Sequence, residues 1–588
     1  VRSILLLYLF LVVSICGAGE EFPAGGRDLV PAGASPDFTG GVAGALRIVK
    51  KEGDPAVELA EILVNTATPD SPWSVQLGMP LSAGAIEAGD RILISFMGRS
   101  VGEGRGRVSS KIQFRNAPYE MIGHAEPVEL GNEWERIHQR VTAAADLPAD
   151  AGDIKLFLGA QTQNLQIYDI RVVNYGSDFD LTKLPLRRVT YVGREPDAPW
   201  RKTAQERIEK FRKADMAVRL VGPDGKPRSN VRVRVELARH EFGFGTAVTR
   251  KMLCKPGADG DRYRDIVQRT CSKVVFENDF KTGVFPEDEA GLAELDQSIA
   301  WLHERGIQIR GHYLIQDAVD FWSSPRLSDP EKLVEATLQS VRSRIAYGQG
   351  KIVEWDVINH PIAWQGADLL SRMPSPIDSL CMDVLRETQR LTSLPLYINE
   401  DQIFKECPQQ EETFQMLKRL KEEGIPVAGL GNQGHFDSSF LPSPDEILRI
   451  TDRFATVVPN QLISEFDIET HGDESLAADY LRDLMTACFS HPAYNAFVLW
   501  GFWEGSHWKP LTAPWRLDWT ERPAAGVWQD CIEKHWHTRL VVTSDAKGVV
   551  RWRGFKGNYQ FQLEDRNAGL PIRPGGPDSP LEIVIEND

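Results

Sequence analysis

The chain has 588 residues, 42% of them apolar and 26% charged, an ordinary globular composition with room for two to four domains and sizeable cores. Bulk disorder, collagen and coiled coil are excluded. The net charge of −16 repels phosphate backbones and anionic lipid, and no run of basic residues offsets it, so neither nucleic acid nor a membrane surface is expected as a partner.

At the start, Arg2 precedes an apolar run over 4–15, followed by the small residues Gly17 and Ala18. This is the plan of a secretory signal over 1–18, and Val1 reads as a non-standard bacterial start, so a secreted or periplasmic location is expected. A lipoprotein reading of Cys16 is disfavoured because Ile15 is bulky where a small residue is wanted. The run is shorter than the ~20 residues of a bilayer span and no later segment approaches that length, so no membrane span is expected. Beyond it Cys254, Cys271, Cys381, Cys407, Cys488 and Cys531 are sparse and show no metal spacing. Buried thiols are expected, with one disulfide as the alternative, and no metal.

Residues 36–176 carry short alternating segments between Gly, Pro and Asp turns, which predicts a jelly-roll-like β-sandwich. Trp73, Trp134 and Tyr168 could line a sugar face there; a spacer domain is the alternative. A linker follows at 177–213, with a solvent-exposed helix expected over 203–213. Residues 214–240 read as a β appendage, two strands around the turn at 223–227.

Over 241–537 eight short apolar runs alternate with amphipathic stretches of helical period, the arithmetic of a (β/α)₈ barrel. An open doubly wound sheet is the rival, but the glycines after the first run lack phosphate-loop spacing. Residues 538–588 return to period two and make a small β module.

In such a barrel, side chains at the C-terminal ends of strands face the active site. Those ends carry Glu277 and Asn278, His312, Asn359 and His360, Asn399 and Glu400, Gln433 and His435, Glu465 and Asp467, and Trp500 with Trp503, Glu504 and Trp508 behind it. Buried polar groups cost a few kcal/mol unless paired, so this set points to a ligand site rather than to packing. Amides, carboxylates and imidazoles bond hydroxyls, and indoles stack on sugar faces, which together describe a carbohydrate cleft. Retaining cleavage of a glycosidic bond needs two carboxyl groups about 5–5.5 Å apart, and Glu465 is the natural nucleophile.

Several segments, in order, resemble glycoside hydrolase family 10, the retaining β-1,4-xylanases. ENDFK at 277–281 resembles the family's ENxxK, which implies that Glu277, Asn278 and Lys281 bind sugar. RGHYL at 310–314 is similar to RGHxL and implies that His312 lies beside the sugar being cleaved. GLGNQGH at 429–435 implies that His435 holds the nucleophile, and ISEFD at 463–467 implies Glu465 as nucleophile with Asp467 orienting. LWGFW at 499–503, with Trp508, is similar to the stacking floor.

One position departs. WDVINH at 355–360 matches WDVxNE except at its last residue, where the family's acid/base glutamate is replaced by His360. Nearby, Gln316 and Asp317 stand where the family shows Trp and His. Three readings compete: His360 itself acts as acid and base, a displaced carboxyl such as Asp317 or Glu400 does so, or acid catalysis is lost. The resemblance thus implies a hydrolase of xylan-like β-1,4 polysaccharide, with an impaired carbohydrate-binding protein or a hydrolase for another glycan as alternatives. No cofactor is implied.

Overall fold

The computed structural model describes residues 22–585, apart from 69–70, 103–105, 126, 186–189, 282, 287, 317–329, 363–376, 406, 426, 439, 471, 564–565 and 568–570. The expected signal at 1–18 lies outside the described residues. The chain divides into two compact units, 1–189 and 190–588.

The first unit is a sandwich of two antiparallel sheets. One runs in the order Glu135–Thr142, Arg91–Ser100, Gln163–Asn174, Asp54–Val64, Gly44–Lys51; the other runs Asp37–Thr39, Gln76–Leu81, Gly152–Phe157, Gly106–Phe114, Met121–His124. Period-two alternation sends Ile92, Ile94 and Phe96 into a fully buried core with Leu77, Ile112 and Leu156. Each such side chain contributes about 1.5–3 kcal/mol. The outward face of the first sheet is partly covered too, since Leu93 and Val173 pack with Leu184, Tyr175 and Phe179.

In the second unit the helix is Pro199–Phe211, not the solvent-exposed 203–213. Proline opens it, and Trp200, Ala204 and Ile208, at four-residue spacing, are buried with Leu448 and Ala487 nearby. Arg201 and the Tyr191 hydroxyl both bond the buried Asp483, fastening this segment. The strands Lys213–Val221 and Arg232–His240 do not form one appendage. The first lies between Val549–Phe555 and Leu581–Val584, the second between Arg539–Thr543 and Gly557–Leu563. Residues 213–240 and the C-terminal tail therefore interleave. Buried Val233 and Val235 need an apolar partner face, and the tail supplies Trp552, Tyr559 and Phe561.

The barrel strands are Gly243–Val248 (β1), Lys273–Phe276 (β2), Gln308–Gln316 (β3), Glu354–Asn359 (β4), Leu396–Glu400 (β5), Gly429–Asn432 (β6), Asn460–Glu469 (β7) and Tyr494–Leu499 (β8). Each pairs in parallel with the next, and β8 pairs back with β1. This closed sheet is a (β/α)₈ barrel and excludes the open rival. Ala247, Val275, Tyr397, Leu462 and Ala496 fill its interior. The helix Glu289–His303 illustrates the local logic: Asp288 caps its start through Gly291 N–H, Leu295, Ile299 and Leu302 are buried, and Gly306, at φ +64°, follows its end.

Candidate active site

Glu465, on β7, is buried at the barrel mouth. Its Oε1 accepts from Asn399 Nδ2 at 2.6 Å, and its Oε2 lies 3.3 Å from His435 Nε2. Asn399 comes from the end of β5, and its Oδ1 accepts from Ser464 Oγ at 2.6 Å. A Cβ on Gly431 of β6 would meet that same Oδ1 at 2.1 Å, so the glycine leaves room for the amide that grips Glu465. Backbone spacing on β6 thus sets the carboxylate's partner on β5.

Charge is relayed outward from Glu465. The other ring nitrogen of His435 meets Asp467 Oδ2 at 2.9 Å, and Asp467 also accepts from Trp508 Nε1 at 2.7 Å and Lys509 Nζ at 3.1 Å. Burial pushes the Glu465 carboxyl up, but the imidazoles of His312, His435 and His360 outweigh it and hold it down at about 2. Burial pushes His435 down, yet Asp467 first and Glu465 second raise it to about 10. The two shifts run in the same sense, favouring a carboxylate at Glu465 beside an imidazolium at His435.

On the other side His312 stands with its Nε2 3.9 Å from Glu465 Oε1 and its Nδ1 3.0 Å from Asp356 Oδ2. Asp356 begins a buried chain of charges: Arg310 bonds both Asp356 and Glu354, and Lys273 bonds Glu354 at 2.6 Å. Burial raises the Glu354 carboxyl, but Lys273 and Arg310 bring it down to about 2. Buried charges persist only when paired in this way. The chain runs from the foot of β2 to the histidine beside Glu465.

The His360 wall differs. Gln433 Nε2 lies 3.0 Å from His360 Nε2 and donates to Asn359 Oδ1 at 3.1 Å, while Asn359 Nδ2 donates to Gln316 Oε1 at 3.0 Å. An amide N–H can only donate, so in this arrangement His360 Nε2 accepts and neutral imidazole carries its proton on Nδ1. That nitrogen is 3.7 Å from Glu400 Oε1. Glu400 is fully buried, with the Ile362 and Asp401 N–H groups donating to its two oxygens at 2.8 Å. Both of its oxygens are thus engaged by backbone N–H groups, with His360 just beyond hydrogen-bond distance. His360 has φ +52°, and its N–H donates to Asn399 O at 2.9 Å.

The structure brings together Glu465, His312, His435, Asp467, Asn359, His360, Gln433 and Trp508. Trp500 packs edge-on to His312 at 4.9 Å, and Lys281 Nζ lies 5.8 Å from its ring. Glu277 and Asn278 follow β2, half-buried, and among the described residues they make no side-chain bond to the Glu465 cluster. Trp503 and Glu504 do not line the mouth. Trp503 is buried against Trp519, with ring centres 4.6 Å apart, and Glu504 pairs with Arg522 at 3.3 Å, because the chain turns back behind β8. Asp317 lies outside the described residues. The sequence places Asn399 in the strand-end set without a specific role and does not single out Lys509. The strand-end rule points to Asn399; Lys509 has no comparable signal.

The family model "Glycosyl hydrolase family 10" matches residues 234–528, half of the chain. The chain is 29% identical over 373 residues to "Anti-sigma-I factor RsgI6" of Acetivibrio thermocellus, covering 62% of this chain and 46% of that protein. It is 25% identical over 396 residues to "Endo-1,4-beta-xylanase 1" of Arabidopsis thaliana, covering 64% and 39%. It thus spans less than half the length of these two relatives. Similar solved structures include xylanase 10B from Thermotoga petrophila RKU-1, at 20% identity and a TM-score of 0.45, covering 50% of this chain and 95% of that one. With a family match across half its length, laid over the closed barrel and its Glu465 mouth, this chain belongs to glycosyl hydrolase family 10.

Proposed function

We propose that the barrel hydrolyses a β-1,4-linked polysaccharide of the xylan class with retention, Glu465 attacking the anomeric carbon and His360 occupying the acid/base place. The observation that carries this reading is the buried Glu465 carboxyl, gripped by Asn399 and His435 at the mouth. The glycosidic C–O bond breaks as the Glu465 oxygen bonds the sugar, and the leaving oxygen takes a proton from imidazolium or from water. Water then attacks the glycosyl-enzyme, gives up a proton, and frees Glu465. Glu277, Asn278, Lys281, Trp500 and Trp508 would hold the sugar. We further propose export, with residues 1–18 removed; sequencing the N-terminus of the mature protein tests it.

A second reading, a sugar-binding barrel of low turnover, draws on one observation: the Gln433 amide engages the ring nitrogen of His360 that would otherwise face a leaving group. Hydrolysis of an aryl xylobioside beside xylan separates the two. An aryl leaving group needs little protonation, so activity on both substrates, lost in Glu465→Gln, supports the full mechanism. Activity on the aryl substrate alone supports a working nucleophile without an effective acid. No activity on either overturns the hydrolase.

A further inference from the structure

The outward face of one sandwich sheet carries a row of planar polar side chains that the barrel chemistry does not use. Strand register puts Glu61, Gln166 and Arg99 side by side across three strands. Gln166 Nε2 donates to Glu61 Oε2 at 2.8 Å, and Arg99 Nε donates to Gln166 Oε1 at 2.9 Å. Their neighbours Ile62 and Leu165 point the opposite way, into the core. At the end of the row the Arg99 guanidinium lies 4.8 Å from the Trp134 ring centre, Trp134 meets Tyr168 edge-on at 5.0 Å, and Lys51 Nζ lies 5.0 Å from Tyr168. Elsewhere on this face Leu93 and Val173 are buried, whereas the side chains of the row are partly exposed.

Charge selects the ligand. Among the described residues neither Lys51 nor Arg99 has a carboxylate partner, whereas nearby Arg136 is neutralised by Asp169 at 2.5 Å. A chain of net charge −16 thus presents two uncompensated cations beside two aromatic rings. A neutral sugar has no need of them. A phosphate polymer would use the cations but be repelled by Glu61, which suits a hydroxyl donor. Rings, an amide, a carboxylate acceptor and cations that lie over the rings without a carboxylate partner together fit a sugar chain that also carries carboxylates.

We propose that this face binds a polysaccharide bearing uronic acid groups, with Trp134 and Tyr168 against the sugar ring, Gln166 and Glu61 on its hydroxyls, and Lys51 and Arg99 on its carboxylate. The test titrates the full chain, in a Glu465→Gln background so that nothing is consumed, with glucuronoxylan, with the same polymer after carboxyl reduction, and with duplex DNA. Any contribution of the barrel cancels between variants that differ only on the sandwich. Native polymer is expected to bind about tenfold or more tightly than reduced polymer. That preference should vanish in Lys51→Gln/Arg99→Gln, while Trp134→Ala weakens both polymers. Melting curves unchanged in the charge variant establish that its fold is intact. Equal binding of native and reduced polymer, a preference that survives the double substitution, or DNA binding as tight as glucuronoxylan would overturn the proposal.

Discussion

Glu465 on β7 and His360 after β4 belong to one barrel mouth, yet the first is held by imidazoles as well as the Asn399 amide and the second meets the Gln433 amide. Glu465 has imidazoles on two sides, and the one at 435 is backed by Asp467, Trp508 and Lys509. His360 meets Gln433, which also bonds Asn359, and the carboxylate behind it is buried and capped by backbone N–H groups. A charged network biases a protonation state; an amide network fixes position. On the proposed mechanism, the charged half of the mouth is the half that would make the nucleophile, and the His360 half is the one that would handle the proton.

Four substitutions sharpen this contrast. Glu465→Gln should lower kcat on an aryl xylobioside by about 10⁴-fold or more, since the amide cannot form the glycosyl-enzyme; steady-state rates check it. Loss of the buried Glu354 charge in Glu354→Gln leaves Lys273 and Arg310 facing an uncharged amide and should cost about 3–5 kcal/mol in denaturant unfolding. His360→Glu should raise kcat on unactivated xylan by about 10²–10⁴-fold if the imidazole is a poor acid, with little change on the aryl substrate. A native His360 that already works as acid would instead show no gain.

The smallest effect is a shift in pH profile. Glu465 lies below its ordinary value, so the fold favours its anion; the associated stability is present above about 4.5 and is lost as pH falls through about 2. His435→Asn removes one of the cations that oppose burial, so the carboxyl should titrate higher and the acid limb of kcat/KM should move up. An unmoved limb would mean that His435 positions Glu465 without setting its charge.

Much of this was legible in the sequence because barrel chemistry is local to strand ends. Glu465, Asp467, His312, Asn359 and His435 each terminate or follow an apolar run, and the closed sheet brings those ends together. Trp503 and Glu504 follow β8 just as directly but turn behind it, because packing on Trp519 and pairing with Arg522 compete for them. The interleaved β module was hidden because Arg232–His240 pairs with strands some three hundred residues later, and period two alone does not name a partner. The rings Trp134 and Tyr168 were legible as a sugar face, but the cations beside them were hidden for the same reason: Lys51 and Arg99 sit on separate strands, so no basic run marks them.

The central claim is a covalent bond between Glu465 and a sugar. Incubating the protein with a 2-deoxy-2-fluoro-xylobioside carrying a dinitrophenyl leaving group slows breakdown of the intermediate and needs no acid from His360. Mass spectrometry of the digest should then find one glycosyl adduct, on the peptide containing Glu465. An adduct on another carboxylate, or turnover of the parent aryl glycoside by Glu465→Gln at the native rate, would contradict the account.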